Sequence, residues 1–332
     1  MPLKNYQYNK ILREYDRRRL DCRHILEERK KAVYAEIPEL NAIDNDIIEG
    51  SVKSGRAALL GDETLLSSLK ERNRLLSGKK AQLLKEHGYP SDYLMPFYIC
   101  PDCKDTGYIS DNEKCHCFRQ AIVDLIYEQS NVKTAIETEN FDTFTYDYYS
   151  DEPIDGDSGN TPLQCMKRNM QSVRSFIDNF DDNFDNILLY GNTGVGKTFL
   201  SNCIAAELLK SGHTVIYLTA FQLFDILENC KFHKDEDNIE ESNNKFSYIL
   251  DCDLLIIDDL GTEVNNTFVS SQFYLCINER FLRRHATIIS TNLSLKQIHD
   301  NYSERTYSRI LSNYKLLKMT GEDIRIKKLL TS

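Results

Sequence analysis

Long apolar runs are missing from this chain of 332 residues. No stretch of about 18 consecutive apolar residues occurs, which argues against a helix that spans a membrane. The segment Met1–Arg19 is charged rather than apolar, so we expect no secretory signal. Ten cysteines without such a signal argue against a disulfide framework and for a reducing compartment. We therefore expect a cytoplasmic protein without membrane contact.

Basic residues are absent between Lys133 and Lys167, where eight residues are acidic. The two ends of the chain are basic instead. Cys276–Ser332 has eleven Lys and Arg against five Asp and Glu, and Met1–Lys31 has ten against five. The net charge of −10 thus hides two basic ends around an acidic middle. The C-terminal excess favours a nucleotide or nucleic-acid partner, whereas the N-terminal excess fits solvated helix faces equally well.

The first third of the chain has the periodicity of helices. Residues 4–35 predict one long helix, and two further helices follow Pro38 and Gly61, the second ending at 88–90. Such a helical hairpin is typical of a partner-binding or oligomerising element. A fourth helix is predicted at 118–129.

From Asn186 onward, short buried strands alternate with helices. We predict strands at 187–190, 214–218, 254–257 and 287–290, and helices at 197–210 and 270–281. This alternation predicts an α/β fold whose parallel sheet is flanked by helices. The polar residues 233–244 and the Pro- and Gly-containing segment 151–162 are predicted loops.

One glycine-rich segment follows the first predicted strand directly. It has the pattern G-x-x-x-x-G-K-[ST] of a phosphate-binding loop and comprises Gly191, Asn192, Thr193, Gly194, Val195, Gly196, Lys197 and Thr198. The glycines let backbone N–H groups point at phosphate oxygens, and the following helix adds its positive N-terminal end. The lysine supplies a charge to the β- and γ-phosphates, and the threonine hydroxyl can bind Mg²⁺. We expect ATP with Mg²⁺ here.

Acidic and amide side chains follow two later strands. Asp258 ends the predicted strand 254–257 and is the expected Mg²⁺ partner, through water. Asp259 is the first candidate for orienting the attacking water, and Glu263 is the second. Asn292 follows the strand 287–290 and is a candidate sensor of the γ-phosphate. The alternatives are a capped turn for the acids and an ordinary turn residue for the asparagine.

Four cysteines lie close together in sequence with the spacing C-x₂-C-x₁₁-C-x-C, namely Cys100, Cys103, Cys115 and Cys117. Two close pairs around a glycine turn are what a tetrahedral thiolate site requires, so we expect Zn²⁺. His116 is an alternative ligand to either of the last two cysteines. A redox pair and a coincidence of spacing are the other interpretations.

Taken together, four segments resemble the AAA+ helicase-loader family typified by DnaC and DnaI, and its relative, the IstB transposition ATPase. The segments are GNTGVGKT, LLIIDDLGTE, ISTNLS and SERTYSRI, and the resemblance covers residues 140–330. It implies an AAA+ P-loop ATPase with a small C-terminal lid, preceded by a helical, zinc-bearing region. It also implies that two consecutive Asp residues, here Asp258 and Asp259 in LLIIDDLGTE, are usual in this family.

The resemblance assigns roles to three arginines. Arg309 would be the finger that reaches a neighbouring subunit's site, which implies ATP-dependent homo-oligomers, and Arg305 is its neighbour of uncertain role. Arg325 would be a second sensor on the phosphates. The alternative for the pair is local ion pairing with Glu304 and Asp300.

The expected organisation is a partner-binding region at 1–132, an acidic linker and domain start at 133–162, and the AAA+ ATPase with a short lid at 163–332. The resemblance implies a protein that loads a replicative hexameric helicase, held by the N-terminal region, onto single-stranded DNA. Hydrolysis would be slow. The alternatives are an IstB-like regulator acting on a transposase and duplex DNA, a small-molecule kinase, and a module that binds ATP without hydrolysing it.

Aromatic side chains occur in two further segments that the resemblance singles out. A helix within Tyr217–Lys231 would face DNA, with Phe221 and Phe224 as stacking faces and Lys231 as a charge; ordinary core packing is the alternative. The residues 141–149 would open the ATPase domain and contact adenine, or pack at an edge.

Overall fold

A computed structural model describes residues 5–109, 113–126, 130–153, 159–232, 245–263 and 267–331. These residues form two compact units that divide between Cys115 and His116. The loop predicted at 233–244 lies outside the described residues, and the boundary predicted after residue 132 stays a prediction. In the described part of the chain, no helix combines the length and apolar character needed to cross a membrane.

The N-terminal unit begins with three long helices, as predicted: α1 (Asn5–Glu36), α2 (Pro38–Leu60) and α3 (Glu63–Glu86). Pro38 occupies the first turn of α2, where its missing N–H costs nothing. Gly61 ends α2 with a φ of 73°, a left-handed conformation that glycine adopts without strain. Asp62 then caps α3 by accepting a hydrogen bond of 3.0 Å from the amide of Leu65.

Helices α2 and α3 form the predicted hairpin. Lys80 pairs with Asp44 across it at 2.6 Å, and both side chains are largely shielded from solvent. Gly50 lets the helices approach closely, because an added Cβ would collide with the Asn73 side chain. One apolar cluster of this region comprises Val33, Ile37, Leu40, Leu84 and Leu94. Other apolar side chains of the three helices are also buried, among them Tyr15, Leu26 and Ile43.

The second unit contains a five-stranded parallel sheet in the order β2-β3-β4-β1-β5. Its strands are β1 (Asn186–Gly191), β2 (Val215–Thr219), β3 (Leu254–Leu260), β4 (Ala286–Thr291) and β5 (Tyr314–Met319). The first four match the predicted strands. The fifth was not predicted, and it pairs with β1 at an edge of the sheet.

Helices surround this sheet: α4 (His116–Ile126), α5 (Ser130–Thr138), α6 (Pro162–Asp178), α7 (Lys197–Lys210), α8 (Ala220–Phe232), α9 (245–251), α10 (Thr267–Arg283), α11 (Leu295–Asn301), α12 (Glu304–Asn313) and α13 (Ile324–Thr331). Successive strand residues alternate between two apolar clusters. Ile187 and Leu189 pack in the cluster that contains α6 and α7 residues, whereas Leu188 packs in the one that contains α8 and α10 residues. Both faces of the sheet are therefore covered, as the α/β prediction requires.

Helix α8 corrects one expectation. Phe224 is only 4% exposed and packs against Phe273 with ring centroids 5.9 Å apart, so its predicted role as a stacking face is wrong. Phe221 is 69% exposed. Three residues along a helix bring the side chain back to within about 60°, so Phe221 lies at the exposed border of the side of α8 that buries Phe224.

Candidate nucleotide site

The glycine-rich loop connects the end of β1 to the first turn of α7. Gly191, Gly194 and Gly196 have φ angles of 149°, 77° and 95°, conformations that side chains rarely adopt. A Cβ at Gly191 would collide with the backbone carbonyl of Met319 in β5, and one at Gly194 would collide with the Asp323 carboxylate. The loop's shape therefore depends on these glycines, and it fits the cradle that phosphate binding requires.

Lys197 lies at the centre of this loop. Its Nζ donates hydrogen bonds to the carbonyl oxygens of Gly191 at 2.9 Å and Asn192 at 2.6 Å. It also donates to Oδ1 of Asn292 at 2.7 Å. Burial lowers the pKa of Lys197, while Asp259 and Asp258 oppose that shift. The structure thus brings the loop lysine and the strand-end asparagine into direct contact.

Asp258 ends the buried part of β3 and accepts three hydroxyl donors. Thr198 Oγ1 lies 3.1 Å from its Oδ2, and the Tyr217 hydroxyl lies 2.9 Å from the same oxygen. Ser290 Oγ donates to Oδ1. Burial, followed by the Asp258 charge, raises the pKa of Tyr217, which keeps the phenol a donor. A carboxylate beside a threonine hydroxyl offers the oxygen ligands that Mg²⁺ prefers, so the residues present fit this ion.

Asp259 follows in a left-handed conformation, with a φ of 56°, which Asp tolerates better than most residues. Its amide donates to Ser290 Oγ at 3.0 Å, and its side chain lines the cavity beside the loop. Burial and the neighbouring Asp258 raise the pKa of Asp259, while Lys197 opposes the shift.

Glu263, the second candidate for a base, is oriented differently. Its carboxylate accepts hydrogen bonds from the Gly261 amide at 2.9 Å and from the Tyr302 hydroxyl. It is absent from the described lining of the cavity. Of the two acids, only Asp259 is placed to act on a molecule bound there.

A cavity of about 250 Å³ opens beside the loop. The apolar side chains that line it are Phe144, Tyr148, Tyr149, Phe199 and Ile324. Tyr149 is fixed by donating a hydrogen bond of 3.1 Å to the carbonyl of Val195. Arg325 and Lys328 of α13 also line the cavity. An apolar compartment next to a phosphate loop, with cations at its rim, fits a nucleoside triphosphate.

Three of the aromatic residues predicted near adenine therefore line the cavity, whereas Tyr146 and Phe141 are absent from its described lining. The ring of Phe141 lies under the Arg174 guanidinium, with 3.7 Å between the ring centroid and Cζ. Packing at an edge, the alternative interpretation, applies to this residue.

Arg309 lies away from the described lining of this cavity. Its guanidinium donates to Asn278 Oδ1 at 2.6 Å and lies 4.9 Å from the Phe281 ring centroid, both on α10. Its described contacts do not include the predicted alternative partners, Asp300 and Glu304. Arg305 is exposed.

The four predicted cysteine ligands also come together, with their sulfurs within 4.8 Å of one another. The Sγ atoms of Cys100 and Cys115 are 3.8 Å apart. Ligands at a Zn–S distance of about 2.3 Å in a tetrahedron have sulfurs about 3.8 Å apart, so this pair fits zinc. A second grouping of Cys100, Asp102 and His116 meets the same distance limit, so His116 stays an alternative.

Hydrogen bonds within residues 99–107 hold the turn that carries Cys100 and Cys103. Buried Asp105 accepts hydrogen bonds of 2.8 Å from the amides of Ile99 and Cys100. The Gly107 amide donates to Cys103 Sγ at 3.3 Å, a contact that favours a thiolate. The cluster can hold a zinc ion.

Sequence reasoning missed Tyr217 and Ser290, the two hydroxyl donors to Asp258, and Lys328 at the cavity rim. For the first two a signal existed. Tyr217 is the single aromatic residue in the otherwise aliphatic start of β2, and Ser290 directly follows the buried pair Ile288 and Ile289 in β4. Only the pairing of the strands shows that both lie next to Asp258.

The parallel sheet, the glycine-rich loop after β1 and the carboxylate after β3 define a P-loop ATPase of the AAA+ class. Comparison with known proteins makes the assignment more specific. The chain belongs to the family described as IstB-like ATP binding protein, which matches residues 162–332.

Two curated relatives come from different biological settings. An ATP-binding protein of insertion sequence IS232 from Bacillus thuringiensis subsp. berliner is 27% identical over 48% of this chain and 63% of its own length. The replicative helicase loader DnaC of Escherichia coli K12 is 23% identical over 42% of this chain and 56% of its own length. The chain therefore matches less than two thirds of either relative. Among solved structures, a crystal structure of the DnaC helicase loader has a TM-score of 0.44 and 22% identity, over 56% of this chain and 98% of that one.

Proposed function

We propose that this protein is an ATP-dependent DNA replication factor that loads a replicative hexameric helicase onto single-stranded DNA. The observation that carries the proposal is the N-terminal unit, in which a helical hairpin and a cysteine cluster precede the ATPase. A regulator that needed only the ATPase would not require this unit. In the proposed loader it holds the helicase, and zinc bound by Cys100, Cys103, Cys115 and Cys117 stabilises it. Such a protein would work in the cytoplasm.

The nucleotide site would make loading of the helicase depend on ATP. The loop amides and Lys197 would bind the phosphates, and Thr198 with Asp258 would hold Mg²⁺, which neutralises phosphate charge when bound. Asp259 orients the attacking water, and Asn292 contacts the γ-phosphate from the end of β4. Arg325 adds a positive charge from α13. A short Asp in place of a longer Glu is consistent with slow hydrolysis.

Arg309 is proposed to act on the site of a second copy of the chain. The supporting observation is that it lies outside the described lining of its own chain's cavity, held by Asn278 and Phe281. If this is correct, Arg309→Ala lowers ATP turnover only at protein concentrations that permit assembly, or with DNA present. Normal turnover under every one of these conditions would remove the finger assignment.

The loading role is tested with the full-length chain. Purified hexameric helicase and circular single-stranded DNA are incubated with the protein and ATP, and DNA-bound helicase is counted after gel filtration. We expect transfer with the wild type and none with Lys197→Ala, although both bind the helicase. Failure of the wild type to bind any replicative helicase tested would contradict the proposal.

A second candidate function is regulation of a transposase on duplex DNA. The family assignment and the similarity to the IS232 protein favour it. The two functions differ in their DNA substrate. Preferential ATP-dependent binding to duplex DNA, together with capture of a purified transposase rather than a helicase, would favour this second function.

A further inference from the structure

The Asp258 carboxylate is held from three directions. Thr198 approaches from α7, Tyr217 from β2 and Ser290 from β4. Thr198 belongs to the phosphate loop and is already assigned to the metal. The other two side chains are buried, line no part of the described cavity, and have no role in the function proposed above.

Strand register explains why Tyr217 reaches Asp258. Tyr217 pairs with Ile256 in the neighbouring strand β3, two residues before Asp258. Two residues advance a strand by about 6.6 Å and return the side chain to the same face. A phenol is about that long, so its hydroxyl extends along the face to the carboxylate, at 2.9 Å from Oδ2. A phenylalanine would fill the same space without the hydroxyl.

Ser290 connects both acids at the end of β3. Its hydroxyl donates to Asp258 Oδ1 and accepts the hydrogen bond of 3.0 Å from the Asp259 amide. The residue that receives this support is the one in the left-handed conformation. One buried hydroxyl therefore fixes the orientation of the first carboxylate and the backbone of the second.

We propose that Tyr217 and Ser290 are positioning residues that orient the Asp258 carboxylate for Mg²⁺ without touching the ion. With each carboxylate oxygen bonded to a donor from a flanking strand, the group cannot rotate about its last bond, and its remaining acceptor sites face Thr198. The inference rests on the proposed role of Asp258 as the Mg²⁺ carboxylate. Outer partners of metal ligands commonly change metal affinity by about 10- to 100-fold.

The test compares Tyr217→Phe with Tyr314→Phe, a matched loss of a buried tyrosine hydroxyl outside the cavity lining. ATP binding is measured by calorimetry over a series of free Mg²⁺ concentrations and in EDTA. We expect Tyr217→Phe to raise the Mg²⁺ concentration for half-maximal enhancement of binding by about tenfold. Binding in EDTA and the melting temperature should match those of Tyr314→Phe.

Ser290→Ala should produce the same Mg²⁺ shift and, in addition, a lower turnover at saturating Mg²⁺, because the Asp259 amide loses its acceptor. Asp258→Asn distinguishes a failure of the positioning role from a failure of the proposed Mg²⁺ site. If Asp258→Asn abolishes the Mg²⁺ dependence while Tyr217→Phe and Ser290→Ala titrate like the wild type, the positioning role is wrong. If Asp258→Asn leaves the dependence intact, the proposed Mg²⁺ carboxylate itself is wrong.

Discussion

The two units of the chain are stabilised in different ways. In the ATPase unit, strands β1, β3 and β4 are buried along most of their length. The N-terminal unit buries side chains along its long helices, such as Tyr15, Leu40 and Leu84, while the end of α2 exposes Leu59 by 90% and Leu60 by 84%. Its exposed ion pairs, such as Lys53 with Glu49, are screened by water and contribute little.

The difference shows where each unit obtains its stability. Burial of apolar surface contributes about 25 cal/mol for each Å², which suits a sheet covered on both faces. The helical hairpin has no such sheet, so local devices add to its stability, among them the Gly61 and Asp62 caps and the adjoining cysteine cluster. We therefore expect metal removal to damage the cysteine-bearing region while ATP binding persists, and changes at the phosphate loop to leave zinc binding intact.

The largest effect is expected from loss of zinc. Cys100→Ser with Cys103→Ser should reduce bound zinc from one ion per chain to none and unfold the cysteine-bearing region, since structural zinc binds with an apparent free energy of about 10–16 kcal/mol. Elemental analysis and thermal melts measure both effects. Cys22→Ser, a buried cysteine of α1 outside the cluster, is the control and should retain zinc. Zinc retained by the double variant would refute the proposed site. Loss of ATP binding in this variant would show that the two units are not independent.

Next in size is the effect of Asp259→Asn on hydrolysis. Asn accepts the left-handed backbone at this position, so the variant removes charge with little strain. Turnover should fall by about 100-fold or more, since proton-transfer groups contribute on that scale. Phosphate release and calorimetry separate turnover from ATP binding, which should persist.

Asp259→Glu sharpens that experiment. Its carboxylate reaches further, but Glu adopts the left-handed conformation less readily, so we expect it to restore turnover incompletely. Full activity of Asp259→Asn would show that this acid does not orient the attacking water.

A smaller change is expected for Lys197→Ala. Charge-assisted hydrogen bonds are worth about 1.5–3 kcal/mol, so ATP affinity should drop by at least about tenfold while zinc content is unchanged. Titration calorimetry measures the affinity. Lys210→Ala, which removes an exposed lysine paired with Glu207 on the same helix, is the matched control. ATP affinity equal to that of the control would end the phosphate-loop assignment.

The smallest effect concerns DNA and the exposed ring of α8. Phe221→Ala should weaken binding of oligo-dT by about 1–3 kcal/mol in the presence of ATP, the usual contribution of one stacked base. Fluorescence anisotropy across a salt series measures this, and Leu282→Ala, another exposed apolar side chain, is the control. An oligo-dT affinity that does not change with salt, with ATP or with Phe221→Ala would indicate a nucleotide switch that acts on proteins only.

Sequence patterns predicted β1 to β4 because each combines an apolar run with a polar residue at its end. Strand β5 escaped prediction because Lys315 and Lys318 interrupt its apolar residues, as an edge strand permits. Helix α6 escaped because it begins right after the acidic, proline-containing segment. Its start is nonetheless marked by a capping box of Thr161 and Gln164.

The sequence predicted those site residues whose type is dictated by their chemistry. It did not predict the features that depend on how the helices pack, such as burial and side-chain contacts. The loop from Gly191 to Thr198 requires those residues in that order. Nothing in the sequence distinguishes Phe221 from Phe224, because their burial depends on which side of α8 meets the sheet. The same holds for Arg309, whose contacts with α10 arise only when α12 packs beside it.

Strand β4 lies between β1 and β3, so the backbones of β1 and β3 are two strand spacings apart, about 10 Å. The chain leaves β4 through Asn292, which is bonded to Lys197, and continues directly into α11 and then α12. One continuous stretch of chain therefore joins the residue that contacts the loop lysine to Arg309 on α12. If Arg309 acts on a second copy as proposed, the nucleotide site and the contact between copies share this stretch.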